Sequence, residues 1–319
     1  MLSGQDKLSS ALIQTLAYAD IFDYPLTLEE IAKFLVGESE VEREVVLNAL
    51  RKIIADPSAG RSTLRDEPSV LGSKSSGQVS KPIYTEGEFY FLRGRKEIVE
   101  LRKRRRGWSE KKGEIARRTV NGLKIIPMIK MIGITGALAM GNCQENDDID
   151  LLIITGANCL WLTRLLIILL SPFLGIKRRK PKEKNVKDKI CFNLFLEENH
   201  LKIEPENLFL AHEILQMKPI YNKDKTHERF LWENQWIKKF LPNAINNLTR
   251  EQSNKAETAS LFHGFIDIFE KLAFKLQYFY MKPKKTNERV SFHQAFFHPK
   301  DLSDKVQKEF ERRIKSLVF

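Results

Sequence analysis

Two short apolar segments joined by a glycine-bearing turn constrain the fold of this chain more than any other feature. Residues 130–135 and 148–155 have the length and the composition of buried strands, and residues 191–196 predict a third strand. An apolar helical pattern at residues 160–176 separates the last two. The order strand, turn, strand, helix, strand predicts an α/β layer, and we expect residues 125–200 to form a central domain with a mixed sheet.

Two aspartates mark the start of the second of these strands. Because side chains alternate between the faces of a strand, Asp148 and Asp150 are expected to project to the same side, where both carboxylates can hold one hard divalent cation such as Mg²⁺. Gly136 and Gly141, in the turn that follows the first strand, allow the backbone to approach a phosphate group and to offer it N–H donors. The sequence therefore predicts a site for a metal ion and a phosphate.

The same residues carry a resemblance to a known superfamily. Gly136-Ala137, a variable turn and then Asp148-x-Asp150 between apolar residues resemble the G-[GS] and D-x-D pattern of DNA polymerase beta-like nucleotidyltransferases. Gly136, Ala139 and Gly141 are also similar to the G-S-x-A-x-G form of minimal nucleotidyltransferases. The resemblance implies that Asp148 and Asp150 are catalytic and bind Mg²⁺ or Mn²⁺, that a nucleoside triphosphate is the substrate, and that an acceptor hydroxyl attacks its α-phosphate.

Two positions depart from that pattern. Ala137 stands where serine or glycine is usual, which removes a hydroxyl contact to phosphate. The superfamily often has a third carboxylate on a later strand, and the expected position carries Asn193, whose amide can ligate a metal or contact the nucleotide but cannot act as a general base. Asp188 or Glu197 would replace it in another strand register. Otherwise the domain would use a single metal, or bind nucleotide without turning it over.

The N-terminal part predicts a separate module. Helices are expected at residues 8–19, 28–35 and 40–54, the last two with capping boxes at Thr27/Glu30 and Ser39/Glu42. A polar stretch at residues 56–82 predicts a disordered loop, and residues 83–85 and 89–92 predict a hairpin. Three helices and a hairpin are typical of a winged-helix-like module, here residues 1–95. Such modules bind DNA or pack against proteins, and the acidic start of the third helix favours packing.

The net charge of +12 is concentrated in two basic segments, residues 102–118 and 177–189. They suit a polyanionic partner such as nucleic acid, RNA in particular, or are solvated surfaces. The first lies in a predicted basic helical linker, residues 96–124. The second lies between the apolar helix and the third strand. This position would place it near the mouth of the site, where it would receive a polyanionic acceptor; the alternative is a solvated loop.

Residues 201–319 predict a helical C-terminal region, with helices at residues 205–217, 227–240 and 256–281. His293 and His298 are interpreted as local packing residues, His212 as a partly buried side chain and not a catalytic base, and Trp161, Trp232 and Trp236 as core. Three cysteines without a CxxC pair argue against a disulfide framework or a thiolate zinc site and favour a reducing cytoplasm. Arg164 and Ser171-Pro172 leave residues 160–176 too short an apolar run for a membrane span, and no signal peptide is expected.

The fold class expected from these patterns is α+β with several domains. Three functions remain open: a nucleotidyltransferase, a regulatory protein whose degenerate domain binds nucleotide or DNA, and an interaction scaffold. The character of position 193 separates the first from the others, because a two-metal reaction needs carboxylates around the metals.

Overall fold

The computed structural model describes residues 4–54, 82–245, 262–282, 288–297 and 302–318, and within them the protein is a mixed α/β structure of ten α-helices and eight strands. The chain forms two compact units. Unit 1 consists of Met1–Lys103, Lys238–Ile245 and Lys305–Phe319, and unit 2 of Arg104–Ile237 and Asn246–Asp304. The expected C-terminal region, residues 201–319, is thus shared between the two units.

The N-terminal part of unit 1 contains three helices followed by a two-stranded antiparallel hairpin, in the order expected from the sequence. These elements are α1 (Gly4–Asp20), α2 (Leu28–Lys33), α3 (Arg43–Ile53), β1 (Ile83–Glu86) and β2 (Phe89–Leu92). Helix α4 (Glu97–Leu123) covers the predicted linker as one continuous helix and passes from unit 1 into unit 2. The predicted disordered loop, residues 56–82, lies outside the described residues except for Pro82.

One of the two predicted capping boxes is present. Thr27 accepts a hydrogen bond from the Glu30 backbone while the Glu30 side chain accepts from the Thr27 backbone, so α2 begins as expected. The second box, at Ser39 and Glu42, was wrong. Helix α3 begins at Arg43, and its N-cap residue Glu42 makes no side-chain capping bond.

Two arginines of unit 1 form ion pairs within the unit, although one of them belongs to a segment expected to bind a polyanionic partner. Arg102, the first residue of the basic segment 102–118, lies 2.7 Å from Glu30 and stacks over the rings of Tyr24 and Phe89. Arg95 lies 2.7 Å from the buried carboxylate of Asp20. Arg102 therefore stabilises the packing of α2 against the hairpin.

Unit 2 is built on a six-stranded mixed sheet with the order β6-β3-β4-β5-β8-β7. The strands are β3 (Ile129–Ile134), β4 (Ile149–Thr155), β5 (Ile190–Glu197), β6 (Lys218–Asn222), β7 (Arg289–Val290) and β8 (Gln294–Phe296). Only β4 and β5 pair in parallel among these strands, and α6 (Leu160–Leu170) forms the crossover that a parallel pair requires.

The remaining helices of unit 2 are α5 (Gly136–Ala139), α7 (Leu208–Gln216), α8 (Thr226–Glu233) and α9 (Phe262–Met281); α10 (Ser303–Val318) belongs mainly to unit 1. The expectation of a wholly helical region after residue 200 was wrong, because β6, β7 and β8 lie there. Each is five residues or shorter, too short for an alternating pattern to stand out. The helix expected at residues 227–240 ends at Glu233, and a 3₁₀ turn, Gln235–Lys239, follows it.

Apolar side chains from the sheet and its covering helices form the core of unit 2. Trp161 and Phe195 are fully buried in it, together with the inward-facing residues of β3 and β4. His212 is buried, and burial lowers its pKa to about 3, so this ring is a neutral packing residue as the sequence suggested. Within the described part of the chain, no helix combines the length and the apolar character needed to cross a membrane.

Helix α9 has the expected apolar stripe, but the stripe faces outward. Ile268, Leu272 and Leu276 are each 60% or more exposed. The opposite face is buried and carries Glu270, which accepts hydrogen bonds of 2.7 Å from the Trp161 and Leu162 backbone at the start of α6. Those first-turn N–H groups have no partner within their own helix, and Glu270 on the inward face of α9 satisfies them.

Candidate functional site

The two aspartates of the D-x-D pattern lie where β4 begins. Asp148 directly precedes the strand and Asp150 is its second residue, partly exposed among buried neighbours. On the adjacent parallel strand, Cys191 lies opposite Asp150. One carboxylate oxygen from each aspartate and the sulfur of Cys191 lie within 4.8 Å of one another. The structure thus brings Asp148 and Asp150 together as predicted, with a thiol beside them.

Arg179 contacts this group from the basic segment 177–189. Its guanidinium donates to Oδ2 of Asp148 at 2.7 Å, and its backbone N–H donates to Ile190 at the start of β5. Burial opposes the charge of Arg179, but the hydrogen bond and the charge of Asp148 outweigh it and raise the pKa of the guanidinium. A basic residue of this segment is therefore part of the site.

The glycine turn lies against Asp150. Gly136 has φ +62°, a conformation that favours glycine, and a Cβ atom there would make a tight contact of 3.2 Å with Oδ2 of Asp150. Ala137 is exposed, and its carbonyl accepts from Asn142, which closes the turn. Gly141 also has positive φ, +68°, with open space around it. The turn leaves Gly136 and Ala137 next to the carboxylates.

Asn193 does not occupy the position opposite the aspartates. Asp150 pairs with Cys191, and the register of β4 and β5 shifts between Leu151 and Leu152, so Asn193 lies at the irregularity. Asn193 is buried, and its side-chain oxygen has no hydrogen-bond partner among the residues that the structure describes. Its assignment to nucleotide binding stays a prediction, whereas the residue facing Asp150 across the ladder is a cysteine.

Cys191 is a neutral thiol at this position. Burial above all, and then the charges of Asp150 and Asp148, raise the pKa of its thiol far above neutrality, and the thiol is hydrogen bonded to Asp150. It therefore adds no negative charge to the pair of aspartates. A lone cysteine on a strand has no metal-ligand spacing, so the sequence does not mark Cys191 as a site residue.

A third carboxylate does approach the site, from a helix instead of a strand. Glu213 on α7 accepts a hydrogen bond from the Gly136 N–H, and burial followed by the negative charge of Asp150 raises its pKa to about 7. A carboxylate thus already lies at the N–H group that the glycine turn offers to an anion. No sequence signal separates Glu213 from other helical glutamates, since only the tertiary packing of α7 against the turn brings it here.

The two other carboxylates proposed as replacements for Asn193 are engaged elsewhere. Asp188 pairs at 2.7 Å with Lys112, a buried lysine that also donates to the carbonyls of Glu145 and Asp147. Lys112 thereby fixes the loop that leads into β4. Glu197 lies at the other end of β5 from Cys191 and contacts two histidines.

The donor set suits a small hard cation. Two carboxylate oxygens at one edge of the sheet are the ligands that Mg²⁺ prefers, and partial exposure leaves room for the water molecules that this ion retains. A neutral thiol is a poor ligand for such an ion.

A scan of the sequence against protein-family models gave no match, and a search of curated proteins gave none either.

Proposed function

We propose that the chain is a magnesium-dependent nucleotidyltransferase, which transfers a nucleoside monophosphate from a triphosphate to an acceptor hydroxyl. The observation that carries the proposal is the convergence of Asp148 and Asp150 at the start of β4, within 4.8 Å of each other's ligand atoms. It is supported by the turn at Gly136, which lies directly against Asp150.

The residues of the site would divide the work between metal and phosphate. Asp148 and Asp150 would hold Mg²⁺, which when bound supplies positive charge to the triphosphate. Arg179, now paired with Asp148, would turn to the phosphates once a cation replaces it as the partner of that carboxylate. The backbone of Gly136 and Ala137 would approach the phosphates closely, as it carries little side-chain bulk.

Glu213 supplies the carboxylate that is expected of a general base and that Asn193 does not have. A carboxylate with a pKa of about 7 is near the value at which a general base works best at neutral pH. Its hydrogen bond to the Gly136 N–H places it beside Asp150. We propose that Glu213 receives the proton of the acceptor hydroxyl when the nucleotide takes over the Gly136 N–H.

The test is label transfer from each α-labelled nucleoside triphosphate with Mg²⁺ or Mn²⁺, in a mixture of RNA, protein and metabolites. The wild type should transfer label, and Asp148→Asn/Asp150→Asn should not. Glu145→Gln is the matched control, because this exposed carboxylate lies on the same loop and pairs with Lys187. Loss of label in both variants, or in neither, would oppose the proposal. The labelled species identifies the acceptor, and the basic segments favour RNA.

One observation favours a second function, in which the domain binds nucleotide without turning it over. The residue of β5 opposite Asp150 is a neutral thiol, so β5 adds no carboxylate to Asp148 and Asp150 at the start of β4, whereas a two-metal site usually has a third. Metal-dependent nucleotide binding by the wild type without label transfer to any acceptor would establish this regulatory function.

Unit 1 is proposed to be a winged-helix-like module that packs against a protein. The start of α3 would approach DNA in such a module, yet Arg43 there is paired with Glu29 and Glu44, each at 2.9 Å. These acidic neighbours repel phosphates. Salt-sensitive binding of duplex DNA that is lost on replacing Arg51 and Lys52, at the other end of α3, would favour the DNA-binding alternative.

A further inference from the structure

A second cluster of metal-ligating side chains lies at the far end of β5. It consists of Glu197, the last residue of the strand, His200 in the turn that follows, and His293, just before β8. Glu197 is six residues beyond Cys191, or about 20 Å along a strand. The cluster is therefore separate from the site of Asp148 and Asp150.

Backbone hydrogen bonds fix the three residues relative to one another. The N–H of Glu197 donates to the carbonyl of His293 at 3.0 Å, and the N–H of His200 donates to the carbonyl of Glu197 at 2.8 Å. Gln294, next to His293, donates from its side chain to the carbonyls of His200 and Lys202. The turn after β5 and the start of β8 are thus joined by bonds that do not involve the imidazoles.

The side chains converge on the Glu197 carboxylate. Nδ1 of His293 lies 2.7 Å from Oε2, and Nδ1 of His200 lies 3.7 Å from Oε1. The two imidazole rings are stacked, with centroids 3.9 Å apart and planes 12° apart. One ligand atom from each of the three residues lies within 4.8 Å of the others.

The charges around this carboxylate call for a cation. The Glu197 side chain is 3% exposed, and within the described residues its charged partners are the two histidines, with no lysine or arginine. Glu270 lies close enough that the charge of Glu197 acts on it. Each imidazole offers zinc a ring nitrogen when it binds in its neutral form.

We propose that Glu197, His200 and His293 bind a divalent cation of the zinc class. Two imidazole nitrogens and one carboxylate are a ligand set that zinc accepts, and the exposed side of the histidines leaves a position for water. Ligands of a tetrahedral Zn²⁺ lie about 3.4 Å apart, given bonds of about 2.05 Å, so the 3.7 Å distance from His200 to Glu197 shortens slightly on binding and the 2.7 Å distance from His293 to Glu197 widens. The 45% exposed His200 ring rotates out of the stack, since two parallel rings cannot both point at one ion.

Such an ion would link β8 to the end of β5. His293 directly precedes β8, which joins β5 to the short edge strand β7 through antiparallel pairing. Linking His293 to the end of β5 therefore strengthens the connection of β8, and through β8 of the edge strand β7, to the central strands. Metal binding at a site present only in the folded chain stabilises the fold.

The experiment is a calorimetric titration of chelator-treated, untagged protein with Zn²⁺ in excess Mg²⁺, with metal analysis after dialysis. Wild type and Asp148→Asn/Asp150→Asn should each bind one zinc ion and melt at a higher temperature with it. His200→Ala should bind about tenfold more weakly or not at all. Because the His200 ring is exposed, its removal should leave the fold intact, which circular dichroism checks.

His227→Ala is the matched histidine control, since this half-buried ring lies outside the cluster, and it should bind zinc like the wild type. Absence of zinc binding by the wild type would overturn the proposal. So would equal zinc affinity in His200→Ala and His227→Ala, or loss of the zinc ion in Asp148→Asn/Asp150→Asn alone. The outcome is independent of label transfer, so it does not depend on the proposed enzymatic function.

Discussion

Cys191 lies opposite Asp150 in the parallel ladder of β4 and β5, and its thiol is hydrogen bonded to the Asp150 carboxylate. This pairing puts a neutral group where a third carboxylate would complete a two-metal site. It also makes position 191, and not 193, the place at which the charge of the site can be changed most directly.

Replacing Cys191 with aspartate is expected to strengthen binding of Mn²⁺ by about tenfold or more, which corresponds to roughly 1.4 kcal/mol. The new carboxylate faces Asp150 and adds a hard oxygen ligand. Without metal, the added negative charge should lower the melting temperature, and metal should restore it. Isothermal titration with Mn²⁺ measures the affinity. Cys191→Ser is the control, as it keeps a small neutral group, and equal affinities in the two variants would contradict the expectation.

Gly136→Ala is expected to destabilise the protein by about 1–2 kcal/mol, because an alanine in the left-handed region is strained. The added Cβ would also press on Asp150 Oδ2 from 3.2 Å, so binding of Mn²⁺ should weaken as well. Urea unfolding and metal titration measure the two effects. Gly107→Ala is the matched control. Within the described residues, no atom beyond the neighbouring residues and the backbone of α4 lies within 4 Å of a Cβ added at this position. Alanine there should stabilise the helix by up to about 1 kcal/mol.

Much of unit 2 could be predicted from local sequence. Residues 130–135, 148–155 and 191–196 are long enough for an apolar run to mark a strand, and all three strands were confirmed to within about two residues of their ends. The spacing of Asp148 and Asp150 also gave their common location, because alternation along a strand is a local property.

What escaped prediction depends on contacts between distant parts of the chain. Cys191 lies opposite Asp150 through the pairing of β4 with β5, and a register irregularity leaves Asn193 between the pairs Leu151–Phe192 and Leu152–Leu194; no sequence pattern marks such a shift. Glu213 reaches the Gly136 N–H only through the packing of α7. His293 was interpreted as a packing residue, yet it contacts the Glu197 carboxylate, 96 residues away in the chain. His298 lies outside the described residues.

Arg179→Ala, in the basic segment 177–189, is expected to change metal binding and nucleotide binding in opposite directions. Removing the guanidinium frees Asp148, so free protein should bind Mn²⁺ more tightly, while the KM for the nucleoside triphosphate should rise about tenfold as a charge-assisted contact is lost. Lys187→Ala is the control, since Lys187 belongs to the same segment but pairs with exposed Glu145. Similar changes in both variants would show that only the net charge of the segment matters.

Glu213 is expected to make stability depend on pH in a way that Glu213→Gln removes. Burial raises the pKa of Glu213 from 4.5 to about 7, so the folded state holds this proton more tightly than the unfolded state does. The resulting stability is fully present below pH 4.5 and is lost as the pH rises through about 7. A shift of this size corresponds to at most about 3 kcal/mol.

Urea unfolding at about pH 5 and about pH 8 measures this dependence. The decrease in the free energy of unfolding between the two pH values in Glu213→Gln is subtracted from the decrease in the wild type. Glu145→Gln is the control, because Lys187 lowers the pKa of Glu145, whose exposed carboxylate acts in the opposite direction and weakly. If wild type and Glu213→Gln lose stability equally between the two pH values, Glu213 ionises as an ordinary glutamate. It would then be fully ionised at neutral pH and would no longer fit a general base tuned to that range.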